Sequence, residues 1–415
     1  MKRKEFLKLA GGAAMIGGMG WTLPVVGAEN EKVPPRNPRP YTGLDWSSLK
    51  QIHTTSHGHC TSQNFLDAYL NRGLEFLTLS NYYPSAPWWP MKTMTQNYYQ
   101  IHHDFPVMVN GKRTNGPFNW NEIVKPWAGE IEEGYKKYYP FKEGELVFKN
   151  VPDHILEAPN AEHHGFISPF GSFHMCAPGS AFRSGTFDAR NRFRTKSHGY
   201  HFGSGEPWRV AIDRMIRGLI FPDGGGVTIN HPSWSRLSKD FVVEVLDHDP
   251  RVLGCEVFNQ SCTPSKNYPW STQFTEDYWD YALSKGRQCF GFFVPDWSRT
   301  EGVNVLLVPE RTVHECLKAY RQGNWYGAIK GRGILRFTHI SFDSGKLLVK
   351  TDKPARFQVI SKQGVVKEET GTELAFQVGE DAAKHGYLRA KAYATDNSGE
   401  ILFTQPMMLT ANAAS

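Results

Sequence analysis

Gly224-Gly-Gly-Val-Thr-Ile-Asn-His-Pro-Ser-Trp234 is the stretch from which the rest of the chain is read. Three glycines lead into Val227-Thr228-Ile229, a β-branched run with the character of a buried strand. Pro232 has no amide hydrogen to continue a ladder. His231 therefore falls at the C-terminal mouth of the strand, where α/β barrels and open α/β sheets place their chemistry. A single histidine there is more often a satisfied structural residue. The other polar residues at strand ends are what argue for more.

Working outward, the pattern is alternating strand and helix. Pro207 suits a first helical position, and Val210, Met215, Ile216 and Leu219 give that helix its packing face. Downstream come a helix over 241–246, a strand over 253–259, a helix over 277–285, and a strand over 289–294 that stops at Pro295. A strand over 303–308 and a helix over 312–322, ended by Gly323, complete the series. Upstream, a strand over 49–53 runs into Thr54-Thr-Ser-His-Gly-His-Cys60. Ser62 then caps a helix that Gly73 stops, and 74–80 is a second strand. Two irregular insertions interrupt this order, 82–160 and 177–205. The first carries Trp88, Trp89, Trp120 and Trp127, suited either to covering apolar surface or to stacking on a flat ligand. The second carries Arg183, Arg190, Arg192 and Arg194, whose guanidinium forks suit phosphate or carboxylate but are also ordinary in a solvated loop. Past Lys330 apolar and polar residues alternate with period two, separated by turns such as Asp343-Ser-Gly345. That predicts a small antiparallel β-sandwich over 330–412.

The 415 residues carry 47 Lys and Arg against 41 Asp and Glu, a net charge of +6 with no long basic run. Such a balance gives no case for nucleic acid and suits a small anionic substrate. Residues 1–28 read as an export signal. A basic Lys2-Arg3-Lys4 precedes an apolar, glycine-rich stretch that ends at Val26-Gly27-Ala28. Arg3-Lys4-Glu5-Phe6-Leu7-Lys8 is similar to a twin-arginine signal with Lys4 for the second arginine, which predicts a periplasmic or extracellular protein. No later apolar run spans a bilayer, so no stable membrane anchor is expected. Residues 29–44 are a proline-rich lead-in. The six scattered cysteines suggest no disulfide framework and read as buried thiols.

Hydrolysis of an ester needs a polarised oxygen and a nucleophile available near neutral pH, and metal ions held by histidines and carboxylates supply both. The candidates are His53, His57, His59, Glu162, His174, His231 and Asp296. All but His174 fall at, or just after, an expected strand end. A carboxylate such as Glu162 is able to bridge two ions.

Taken in order over 45–327, these residues resemble the PHP superfamily, named for polymerase and histidinol phosphatase domains. Gln51-Ile-His53 through His59 is similar to its first His-x-His motif and the turn after it. Residues 73–80 are similar to the strand before its Thr-Asp-His motif. Glu162 and His174 are similar to its middle motif, Asn230-His231-Pro232 to its His-Pro motif, and Gly254-Cys-Glu-Val-Phe-Asn259 to its Glu-Val-Tyr-Asn strand. Asp296 fits its final Asp-x-His, and Ala319 to Tyr326 its closing segment. The chain departs from the family at Gln51 or Thr55 (for a first-motif histidine), at Asn81-Tyr82 (for Asp-His) and at Ser298 (for the last His).

The resemblance implies an α/β fold, a distorted (β/α) barrel with large insertions followed by the β-sandwich. It also implies a metal-dependent phosphoesterase holding one or two divalent ions, zinc, manganese or iron. Glu162, His174 and His231 would form a three-ligand site with an open position. His53, Glu162 and Asp296 would form a second site one ligand short, and His57 or His59 would remain beside a third, largely lost site. His53 or His59 would move protons and Tyr82 would position substrate. The substrate is expected to be small or carbohydrate-derived and anionic. Two other readings stand beside this one: an enzyme of the same fold that cleaves glycosidic bonds, and a carbohydrate-binding protein with an eroded site.

Overall fold

A computed structural model describes residues 33–60, 62–81, 90–93, 106–109, 112–115, 146–164, 166–170, 173–182, 207–298, 301–330, 333–379 and 382–409. In chain order, β1 (Lys50–Thr55), helix α1 (Gln63–Asn71) and β2 (Phe76–Leu77) come first. The hairpin of β3 (Pro106–Val109) and β4 (Lys112–Asn115) follows, then three two-residue strands, β5 (Leu156–Glu157), β6 (Glu162–His163) and β7 (Met175–Cys176). Next are α2 (Trp208–Arg217), β8 (Val227–Ile229), α3 (Lys239–Leu246), β9 (Val252–Asn259), α4 (Glu276–Ser284), β10 (Phe290–Val294), β11 (Val303–Val308), α5 (Val313–Gln322) and β12 (Trp325–Ile329). The C-terminal part adds β13 (Phe337–Asp343), β14 (Lys346–Ser361), β15 (Gly364–Gln377), α6 (Ala382–His385), β16 (Tyr387–Ala394), β17 (Ile401–Thr404) and β18 (Met407–Met408).

Local chemistry explains several helix ends, although Ser62, expected to cap α1, precedes it without a side-chain capping hydrogen bond. Ser238 caps α3 by accepting from the amide of Phe241, and Thr312 caps α5 by accepting from that of Glu315. Gly323 closes α5 in the left-handed region at φ 73°. Ser344 and Gly345 both have positive φ, as the two-residue turn joining β13 to β14 requires.

The strands form two main sheets. One has the order β10-β9-β8-β7-β6, with β8, β9 and β10 parallel. The other runs β13-β14-β16-β17-β12-β11-β1-β2-β5, with β15 added on β14 and β18 on β16. The first core lies under helices α2 to α5 and joins Ile52, Ile229, Val257, Phe292, Leu306 and Trp325. A second core covers the other face of β11 and β12, where Val303, Val305, Leu307 and Tyr326 meet Phe337, Val349, Phe357 and Leu402. Burial on both faces is why β11 reads as an apolar run interrupted only by Asn304.

Two expectations are corrected. No closed barrel forms among the described residues; the two sheets share a core, but between them the backbone is joined only by isolated bridges such as Gly58–Asp296. Barrel closure needs a continuous ladder around the ring, and β2, β5, β6 and β7, at two residues each, are too short to carry one. The C-terminal antiparallel strands are present but do not stand apart as a sandwich. β12 pairs with β17 from Tyr326↔Thr404 to Ile329↔Ile401, so the C-terminal sheet continues the N-terminal one over a shared core. From Pro34 onward the described residues form one compact unit. Within it Arg36 anchors the start of the chain's compact part by donating to the carbonyls of Leu246, Asp249, Val252 and Gln288.

Among the described residues no helix is long and apolar enough to cross a membrane. The six cysteines are all buried and free. Residues 1–28, Tyr82, the four tryptophans of the first insertion and Arg183, Arg190, Arg192 and Arg194 lie outside the described residues.

Candidate metal centre

The centre forms where the loop after β1 meets β6, β7 and the ends of β8, β9 and β10. Beyond Thr55 the chain turns sharply: the Thr55 hydroxyl accepts from the amide of His57 and donates to its carbonyl. Gly58 then donates to Ser80 Oγ, and the amide of His59 donates to the carbonyl of Asp296. A Cβ on Gly58 would lie 2.9 Å from both Thr55 Cγ2 and Tyr69 Oη, so only glycine lets this turn pack. The result brings His57 and His59 together, with their Nε2 atoms 3.4 Å apart. His231 (φ 22°) and Asp296 (φ 56°) both hold positive φ without being glycine, backbone strain of the kind that gathers at functional sites.

Glu162 is fully buried at the middle. Its Oε2 lies 3.0 Å from His59 Nε2 and 3.3 Å from His57 Nε2. Its Oε1 lies 2.7 Å from His174 Nδ1 and 3.1 Å from His231 Nε2. Asp296 Oδ1 lies 3.3 Å from the Nε2 atoms of both His57 and His59, which are 3.4 Å from each other. A tetrahedral ion with nitrogen and oxygen donors at its usual bond lengths sets its ligands about 3.3–3.4 Å apart. The separations among His57, His59, Glu162 and Asp296 given above, 3.0–3.4 Å, are close to the edges of that polyhedron. Glu162, His174 and His231 make a second group whose donors lie within 4.8 Å of one another and leave coordination positions open. One carboxylate therefore faces two donor sets, one with each oxygen.

A further layer orients these donors. Glu256 Oε1 lies 2.6 Å from His57 Nδ1, which turns the Nε2 of His57 toward Glu162. Glu256 Oε2 accepts from the amide of His231 and from Asn259 Nδ2, and Asn259 also donates to Asp296 Oδ2. Asn230 donates to Glu162 Oε1, and the His59 ring stacks on Trp297 with centroids 4.0 Å apart.

Electrostatics fit a cation. Burial alone would raise the Glu162 carboxyl, but His57 and His174 hold it well below its ordinary value. Asp296 is likewise penalised by burial yet lowered to about 2, chiefly by His57. Burial opposes charge on His57 and His231, and the carboxylates around them nevertheless raise both. His174, where burial wins, is lowered. Protons on imidazoles thus balance buried carboxylates, and a divalent ion would supply the same charge while displacing them.

Of the residues expected from the sequence, His57, His59, Glu162, His174, His231 and Asp296 come together. His53 does not. It sits within β1, opposite Val305, with Glu75, Arg336 and Arg72 as its charged neighbours. Its place is taken by His57, two residues past the strand. Glu256 lies inside β9 and so escapes a search confined to strand ends, yet a carboxylate inside the apolar run Val-Leu-Gly-Cys-Glu-Val-Phe signals a buried charge with an obligatory partner.

No family model and no curated protein matches the chain. One matching solved structure is described as a two-domain protein containing a predicted PHP-like metal-dependent phosphoesterase from Bacteroides vulgatus. It is 11% identical, covers 87% of this chain and 95% of that chain, and has a TM-score of 0.39. At that score the site must be read from its own donors.

Proposed function

We propose that the chain is a metal-dependent hydrolase of phosphoesters that holds two divalent ions, zinc, manganese or iron. The observation that carries this is Glu162, whose two oxygens each face a separate donor group. His57, His59, Asp296 and Glu162 would hold one ion, and His174, His231 and Glu162 the other. Nitrogen with carboxylate oxygen is the donor mix those metals take. Ions bound there supply a Lewis acid for the ester oxygens and a nucleophile from water near neutral pH.

The chain's own residues do the rest. Glu256 fixes the His57 ring, Asn230 steadies Glu162 and Asn259 steadies Asp296. His57, His59 and Glu162 have no side-chain exposure, whereas Asp296 and His174 keep 8% and His231 keeps 5%. Substrate therefore approaches past Asp296, His174 and His231. The ordered motifs that resemble the PHP superfamily support the same reading. Completeness of both donor groups is why an eroded, binding-only protein is set aside. The N-terminal export pattern supports a periplasmic or extracellular location, and the modest positive charge suits a small or glycan-derived anionic substrate.

Elemental analysis of the purified protein should find about two transition-metal ions per chain. A generic phosphodiester chromogen should be hydrolysed in added Mn²⁺ or Zn²⁺. A metal-free protein whose melting temperature is unmoved by chelator and by added metal contradicts the reading.

A further inference from the structure

We infer that Trp234, Tyr268 and Trp270 form a stacking platform for a ring in the substrate, so that the site selects phosphoesters of ring-bearing alcohols. This rests on the hydrolase reading and adds the substrate class to it. The platform begins at the open side of the centre. The Trp234 ring lies 5.1 Å from the ring of His231 and 5.2 Å from that of His174. From there the aromatic faces lead outward. Tyr268 lies 5.4 Å from Trp234 and is tilted by 36°, and Trp270 lies 5.9 Å from Tyr268. Trp234 is half-buried, while Tyr268 and Trp270 are 42% and 38% exposed. A run of large exposed aromatics that starts against two metal-donor histidines is placed to hold the organic part of a molecule whose ester sits at the centre.

The platform is also rigid. The amide of Tyr268 donates to the Ser265 carbonyl, and that of Ser265 to the Tyr268 carbonyl. Trp270 Nε1 donates to the carbonyl of Trp234, tying the loop after β9 to the loop after β8. Ser233 Oγ joins the same two loops by bonding to the backbone of Thr272. Little ordering is therefore needed when a ring docks. At the far end the Arg236 guanidinium lies 3.1 Å over the Trp270 ring, occupying that face and giving the platform a positive rim. Trp234 and Tyr268 remain as the faces for substrate. A sugar ring and a planar aromatic ring stack in the same way, so the shared chemistry is a ring next to the scissile ester.

The test compares metal-loaded protein on glycerol phosphate, a pyranosyl phosphate and phenyl phosphate, following phosphate release. Ring-bearing esters should exceed glycerol phosphate in kcat/KM by about tenfold or more, the size of a stacking contact. Tyr268→Ala should cut that ratio by about tenfold or more relative to wild type, leaving only what the leaving groups themselves contribute, and Tyr268→Phe, which keeps the face, should retain it. The pyranosyl and phenyl arms tell a sugar from a flat ring. An unchanged ratio in Tyr268→Ala, or equal falls on all three esters, overturns the inference. If neither these esters nor the phosphodiester chromogen is cleaved, the hydrolase reading fails on its own. Calorimetric titration with phenyl phosphate, the pyranosyl phosphate and inorganic phosphate then decides the platform. The ring-bearing compounds must bind more tightly than inorganic phosphate, and Tyr268→Ala must erase the difference.

Discussion

Replacing Glu162 by glutamine is the sharpest perturbation of the centre, because it changes charge while keeping shape. The carboxylate lies 2.7, 3.1 and 3.3 Å from His174, His231 and Asn230 through one oxygen, and 3.0 and 3.3 Å from His59 and His57 through the other. An amide keeps one acceptor oxygen and turns its NH₂ toward the remaining pair of imidazole nitrogens. Roughly two charge-assisted contacts are lost at about 1.5–3 kcal/mol each. Removing one partner from a buried charge pair costs about 3–5 kcal/mol, so the two estimates agree. The Glu162 pKa is lowered in the fold. Its contribution is therefore present above the unfolded value of about 4.3 and is lost as pH falls through the folded value. The assay is urea denaturation at pH 7, with and without chelator, alongside metal content. Chelated Glu162→Gln should unfold at a clearly lower urea concentration than chelated wild type, by about 3–5 kcal/mol of stability. The variant should also hold fewer than one ion per chain. A variant that keeps both ions and the wild-type midpoint refutes the role given to Glu162.

Glu256→Gln, which loosens the His57 ring without removing a donor, should weaken metal affinity by about 10- to 100-fold, read by competition with a chromophoric chelator. Metal affinity should rise with pH across and above the ordinary histidine range, since protons held on His57 and His231 must leave when an ion binds. The chelated protein should show the opposite trend. Raised histidines stabilise it fully below about pH 6.5, and that stability is lost as pH rises through their folded values. His53→Ala should leave metal content as in wild type, because His53 lies on β1 away from the donors; loss of metal there would contradict the placement of the site.

Much of the α/β half was legible because its signals are local. The Val227–Ile229 strand, the proline after His231 and the Gly323 stop each depend on a few neighbouring residues. The donors His231, Glu162 and Asp296 stood out for the same reason, as polar residues at strand ends, whereas His174, expected in a loop, stood out only through its place in the ordered motifs. Choosing between His53 and His57 was harder. The choice depends on where β1 ends and on a turn that Gly58 makes possible by packing against Tyr69. The union of the C-terminal strands with the N-terminal sheet was hidden too, since β12 pairs with a strand some seventy residues on. Period-two alternation shows that a strand has two faces but not which strand will lie at its edge.

The most direct test of the account is anomalous diffraction from crystals of the protein soaked in Mn²⁺. It predicts two peaks about 3.5–4 Å apart, one against each oxygen of Glu162, with His57, His59 and Asp296 around the first and His174 and His231 around the second. No peak at Glu162, or ions bound only elsewhere on the chain, would contradict it.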